Sequence, residues 1–219
     1  VDCYENQFKL GLDIGSSLAV TYEGEIVIDI WAGTKDKAQT LPWEENTIVN
    51  VFSSTKNATS LSAYVLVDQG KLDFSAPVAK YWPEFAQKGK ENILVSHIMS
   101  HSSGLAGWDE PVAGNDLYDP DKVAALFETQ EPWWEPGTAL GYHAISVGNL
   151  MGEIIKRISG KTVGNFFKDE IADPLDIDFH IGLEDKHHSR VAEIHQAVES
   201  NPEDIFELEE GSVMQKVMT

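Results

Sequence analysis

Cysteine is nearly absent: Cys3 stands alone, so no intrachain disulfide can form, which fits a reducing compartment. Long apolar runs are missing as well, and none approaches the roughly 20 residues needed to span a bilayer. The first residues, VDCYENQF, have neither the basic nor the apolar region of a secretory signal, so the expectation is a cytoplasmic protein. Basic residues are scarce. Sixteen Lys and Arg stand against 36 Asp and Glu, a net charge of −20. Such a surface repels nucleic acid and anionic membrane, and neither is expected as a partner. No internal repeat or low-complexity tract is visible.

Several familiar signatures are also missing. No G-x-S-x-G occurs, which argues against an α/β-hydrolase lipase. Gly160-Lys161-Thr162 lacks the glycine of a phosphate loop, because Ile155 stands at that position. His97 and His101 have the i, i+4 spacing of metal ligands, but Ile98 replaces the glutamate of H-E-x-x-H. His187, His188 and His195 read as part of a solvated tail. No metal and no cofactor is expected.

What is present centres on VFSSTKNATSLSAYVL at 51–66, which holds Ser53 and Lys56 in the spacing S-x-x-K. Ala58, Leu61, Val65 and Leu66 follow with a helical period. A helix beginning at or just after Ser53 brings hydroxyl and amine to one face, since residues three apart are neighbours there. A serine hydroxyl becomes a good nucleophile when a base takes its proton. Burial and a helix N-terminus both favour the neutral amine that such a base requires. Ser and Lys are common, so an S-x-x-K of this kind also arises by chance about once in 200 residues.

Short strands are expected over Ser17–Val20 and Glu25–Trp31, joined by a turn at Glu23-Gly24. Helices are expected from Ser53 to Gly70, from Val95 to near Gly104, over Asp121–Glu128 with Asp119 or Asp121 as cap, and over Ser146–Ile158 closed by Gly160. A further helix over Val163–Ile171 is expected to break at Asp173-Pro174. The chain reads as one domain over 1–219. It has strands and a loop at 1–50, a helical lobe with the chemistry at 51–195, and an acidic tail at 196–219.

Five strings in order carry a family resemblance: VFSSTK at 51–56, GKLDFSAPVAKYWPEF at 70–85, LVSHIMSHSSGL at 94–105, EPGTALGYHA at 135–144, and GEIIKRISGKTVGNFFKDEIADPLDIDFHIGL at 152–183. With these the chain resembles the serine β-lactamase-like and penicillin-binding-protein-like hydrolases, in the class C-related branch that includes the family VIII carboxylesterases. The resemblance implies an α+β fold, a mostly helical lobe beside an antiparallel sheet, of which this chain carries two N-terminal strands. It makes Ser53 the nucleophile and Lys56 its base. Tyr142 takes the place of the family's Y-x-N tyrosine and shares the proton with Lys56.

Two departures follow from the same comparison. Ala144 stands where the family has asparagine, giving Y-H-A, which shifts the expectation from β-lactam or peptide toward ester. The family's third motif, K-T-G or H-x-G on a late strand, is not found. Lys161-Thr162 is followed by Val163 and lies between two helices. That strand supplies one oxyanion donor in the family, and such donors are worth about 3–4 kcal/mol each. The expected reading is a serine hydrolase of small carboxylic esters working through an acyl-enzyme on Ser53. Its rivals are a β-lactamase or D-alanyl peptidase, and a non-catalytic or partner-completed module truncated at its C-terminus. The open sheet edge offers a route to a homo-oligomer. His143, Trp108 and Trp134 are candidate substrate contacts; for His143 a second proton carrier, or a packing or hydrogen-bonding role, is the competing reading, and for the tryptophans loop anchoring. Trp133 carries the same two readings, whereas Trp31, Trp43 and Trp82 look structural.

Overall fold

The computed structural model describes residues 2–112, 114–195 and 211–218. They form two compact units. One comprises residues 2–52 with 183–195, and the other residues 53–112 and 114–182 with 211–218. Of the acidic tail expected over 196–219, residues 196–210 and 219 lie outside the described residues.

In the first unit, helix α1 (Asp2–Lys9) precedes strands β1 (Gly15–Tyr22) and β2 (Glu25–Gly33). The sequence had offered no sign of α1. The strands pair antiparallel, and the sheet has two strands among the described residues. The turn sits at Glu23-Gly24, both with positive φ (51° and 86°), the geometry of a type I′ hairpin turn that glycine adopts at little cost. Register shifts after Val20, where Val20 faces Ile28 and Thr21 faces Ile26, leaving Val27 as the extra residue of a bulge. Residues 183–195 return to this unit instead of extending the helical lobe. Val191 bridges Ile48 in parallel, and the Glu193 carboxylate accepts the Lys37 N–H at 2.7 Å. The segment expected to be a solvated tail thus contains a 3-10 turn, Asp185–Arg190, with the Arg190 guanidinium on the His187 ring.

The second unit is helical: α2 (Thr55–Asp68), α3 (Val95–Met99), α4 (Pro120–Thr129), α5 (Ser146–Ser159), α6 (Val163–Phe167), α7 (Asp173–Leu175) and α8 (Val213–Met218). Helix α5 follows its pattern closely. Val147, Leu150, Met151, Ile154 and Ile155 recur at i, i+3, i+4, i+7 and i+8 and are all buried, and Gly160 closes the helix in the left-handed conformation. Each such side chain contributes on the order of 1.5–3 kcal/mol when buried. Around them gather Trp82, Phe85, Ile93, Val95, Ile98, Val123 and Phe127. Helix α4 starts as expected, with Pro120 in its first turn and the Asp119 carboxylate accepting the Lys122 N–H.

Helix α2 keeps Ala58 and Leu66 of its expected stripe inward, with Val65 packed against the core, but departs from it at Leu61. Ala58, Thr59, Ser62, Ala63 and Leu66 are buried, whereas Leu61 is half exposed. Small side chains let α2 approach α5 and α6 closely, and the Ser62 hydroxyl donates to its own helix at the Ala58 carbonyl. The expected break at Asp173-Pro174 does not occur. A π turn over Lys168–Ala172 widens the helix just ahead of Pro174, whose ring would otherwise meet the carbonyl four residues back. The helical path ends instead at Asp176, which is left-handed. Helix α3 is shorter than expected, stopping at Met99 because His101 is left-handed (φ 61°). No helix among the described residues is long and apolar enough to cross a membrane.

Candidate active site

The reactive trio is built from the start of one helix and one loop. A single 3-10 turn, Phe52–Ser54, leads into α2. Phe52, ahead of the serine, has φ 45°, an uncommon conformation for a bulky residue, and its N–H is held by the Asn50 side chain at 2.8 Å. One turn on, the Lys56 ammonium donates to Ser53 Oγ at 2.9 Å and to the Ala144 carbonyl at 2.7 Å. The Tyr142 hydroxyl donates to the same Ser53 oxygen at 2.7 Å. Lys56 also lies 5.0 Å from the centre of the Tyr142 ring. The hydrogen bond to Ser53, and then the Lys56 hydrogen bond and charge, hold the Tyr142 phenol below the ordinary tyrosine range. Ser53 is exposed and Lys56 half-buried, so a solvent-borne molecule can reach the oxygen on which both donors converge.

The structure therefore brings together Ser53, Lys56 and Tyr142, residues up to 89 positions apart. His143 goes elsewhere. It is fully buried, with Nδ1 2.5 Å from the Gly141 carbonyl and Nε2 2.7 Å from the Ser103 hydroxyl. A carbonyl only accepts, so Nδ1 carries the hydrogen and Nε2 accepts from Ser103. Burial pushes its pKa down to about 4. A side chain enclosed in this way does not face solvent, which favours the packing and hydrogen-bonding reading of His143 over the pocket-lining one. Trp134 is likewise a support. Its ring lies against Gly141, where a Cβ would come within 2.5 Å of Cη2, and meets His143 edge-on at 6.1 Å. Trp133 anchors a loop through its Nε1 donating to Asp109 at 2.8 Å.

Trp108 stacks on Phe127 (5.2 Å) and also lines a cavity of about 450 Å³ with Val112, Leu117, Ile145, Asp109 and Lys216. None of the trio lines it, although Ile145 directly follows the Ala144 carbonyl that holds Lys56. Lys56 instead borders a smaller cavity of about 50 Å³ with Met99, His101, Val147 and Met151. Two contributors are not visible in the sequence. His101, considered there only for its spacing from His97, abuts Tyr142 with ring centres 5.1 Å apart. Ala144 was weighed for its side chain, whereas its carbonyl takes the lysine. His97 and His101 do not share a helix face, since α3 has ended. The His97 ring accepts the Leu94 N–H, and no cluster of three His, Cys, Asp or Glu suited to a metal occurs among the described residues. Lys161-Thr162 is structural: Lys161 pairs with Asp169 at 2.9 Å and Thr162 caps α6.

The chain is similar to several known proteins. The chain is 37% identical to the esterase/β-lactamase LipL of Mycobacterium tuberculosis over 176 residues, 77% of this chain and 39% of that protein. A family VIII carboxylesterase crystal structure superposes with a TM-score of 0.85 at 41% identity, covering 89% of this chain and 54% of that one. A penicillin-binding-protein homologue from Caulobacter crescentus gives 0.85 at 36% identity, with 89% and 53% covered. The chain thus spans about two fifths to half the length of these relatives. The Beta-lactamase family profile matches residues 7–210, and by that match, over nearly its whole length, the chain belongs to the β-lactamase family.

Proposed function

We propose that the protein is a serine hydrolase of small carboxylic esters that works through an acyl-enzyme on Ser53. The observation that carries this reading is the convergence of Tyr142 and Lys56 on one serine oxygen at 2.7 and 2.9 Å. Loss of one proton from the trio, made easier by the lowered Tyr142 phenol, leaves a base in contact with Ser53. As the Ser53 Oγ–carbonyl bond forms, its proton passes to that base. The same proton then goes to the alkoxide as the ester C–O bond breaks and the alcohol leaves. Water attacks the acyl-serine by the reverse relay and releases the acid. The Ser53 backbone N–H is assigned as one oxyanion donor.

Ala144 supports an ester over a β-lactam, because no side-chain amide stands there to grip an acylamino group. β-Lactam hydrolysis is the second reading, supported by the double name of the mycobacterial relative. In the full-length protein, p-nitrophenyl butyrate is expected to turn over faster than nitrocefin. Ser53→Ala should lower that rate by about 10³-fold or more, and Tyr142→Phe by about 10²–10⁴-fold. Ser53-independent turnover, or no turnover by a folded sample, refutes the proposal, and faster nitrocefin hydrolysis reverses the order of substrates.

A further inference from the structure

Tyr142 is half exposed and sits on a loop, yet its hydroxyl is placed on Ser53. The residues on either side of it are tied to one histidine. The His101 carbonyl accepts the Gly141 N–H at 3.0 Å, and the His101 Nδ1 accepts the His143 N–H at 3.1 Å. The His101 ring itself lies 5.1 Å from the Tyr142 ring and 5.4 Å from that of His143. Beneath the loop, Trp134 closes against Gly141, and His143 fastens the Gly141 carbonyl to Ser103.

We propose that His101 is a positioning residue for Tyr142, able to hold the phenol on Ser53 only while its Nδ1 is unprotonated and accepts the His143 N–H. The proposal rests on the hydrolase reading above. Protonation at Nδ1 would turn the acceptor into a donor facing another donor. It would also add a second cation on the wall of the small cavity that Lys56 lines. Both effects release the loop. The titratable groups that face His101 are Lys56 from α2, and Tyr142 and His143 from the loop. Burial, and then the charge of Lys56, hold His101 below the ordinary histidine value. The clamp is therefore closed at neutral pH and opens in acid: activity is present above the His101 pKa and is lost as pH falls through it.

The test uses the full-length protein with His101→Ala and His101→Asn. Asparagine tolerates the left-handed backbone at 101 and carries a non-titrating acceptor near the Nδ1 position. On p-nitrophenyl butyrate at pH 8, His101→Ala should lower kcat about 10–100-fold with KM within about twofold, the scale of a catalytic group misplaced by an ångström. His101→Asn should recover most of that loss, and its kcat should fall less steeply below pH 6.5 than that of the parent. A second readout needs no turnover. The phenolate absorbance of Tyr142, isolated by subtracting the Tyr142→Phe titration, should move up toward the ordinary value of about 10 in His101→Ala and stay low in His101→Asn. Parent-like kcat and Tyr142 titration in His101→Ala overturn the proposal, as does an asparagine variant no better than alanine. If Ser53-dependent turnover is absent from the parent, the hydrolase reading fails, and the Tyr142 titration still decides whether His101 places the phenol.

Discussion

His143 makes acid stability a sharp test of the site's architecture. Its ring is fully enclosed, donating to the Gly141 carbonyl and accepting from Ser103, and burial pushes its pKa down to about 4. In the unfolded chain the same imidazole titrates near 6.5. Between those values the unfolded chain binds a proton that the folded chain refuses, so stability present above pH 6.5 is lost as pH falls toward 4. For one group with these two values the loss is about 2 kcal/mol at pH 5, with a ceiling of about 3 kcal/mol below pH 4. Urea unfolding at pH 8, 7, 6 and 5 measures it. His143→Gln cannot titrate and keeps one donor and one acceptor. It should be less stable than the parent at pH 8 by about 1–3 kcal/mol, through imperfect hydrogen bonds, but should have a flatter acid limb. The parent-minus-variant difference must shrink by about 2 kcal/mol between pH 8 and 5. His101 is present in both proteins and pulls in the same direction in each. Parallel acid limbs would refute the enclosure of a neutral His143.

Two further substitutions probe the supports. Lys90 is fully buried, and its ammonium donates to the Glu128 and Gln130 carbonyls at 3.1 and 2.5 Å, where the end of α4 concentrates negative dipole. Lys90→Met keeps most of the volume but strands both carbonyls. It should lower the urea-derived stability by about 2–4 kcal/mol, and an unshifted midpoint would show that the pairing is worth nothing. Gly141→Ala drives a Cβ into the Trp134 ring and should lower kcat at least about tenfold by displacing Tyr142. Adding Trp134→Phe should restore part of it, and additive losses would deny the contact.

The parts legible in the sequence are those governed by local rules. Helix α5 announces itself because five buried apolar residues keep one face, and α4 because a capping aspartate precedes it. Ser53 and Lys56 were legible because a helix forces residues three apart together. Tyr142 was not: nothing local singles out one tyrosine in a loop, and only the order of the family strings pointed to it. Leu61 misled because hydrophobicity was taken as burial: Ala58 and Leu66 of the expected stripe are buried, but close helix packing selected Ser62 and Ala63 rather than Leu61. Pro174 misled because a π turn can absorb a proline that an α turn cannot. The roles of His101 and His143 were hidden for a further reason. A histidine's function follows from which nitrogen meets which partner, and those partners lie about 40 residues away in the chain.

The division of labour in the site follows from what each element can enforce. Ser53 and Lys56 ride on one helix turn, whose hydrogen bonds fix their separation without help from side chains. Tyr142 has no such frame, and half of it faces solvent, so packing around the phenol cannot hold it. Its precision has to come from the backbone on either side. The backbone is pinned at 141 by the His101 carbonyl and by His143, at 143 by the His101 ring, and at 144 by Lys56 itself. Lys56 thus contributes twice, once at the nucleophile and once by gripping the loop that carries Tyr142. Loss of the ammonium should therefore displace Tyr142 as well as remove a base, which makes the two residues one coupled unit. The cost of removing both should fall well short of the sum of the single losses, as it does wherever catalytic groups act together.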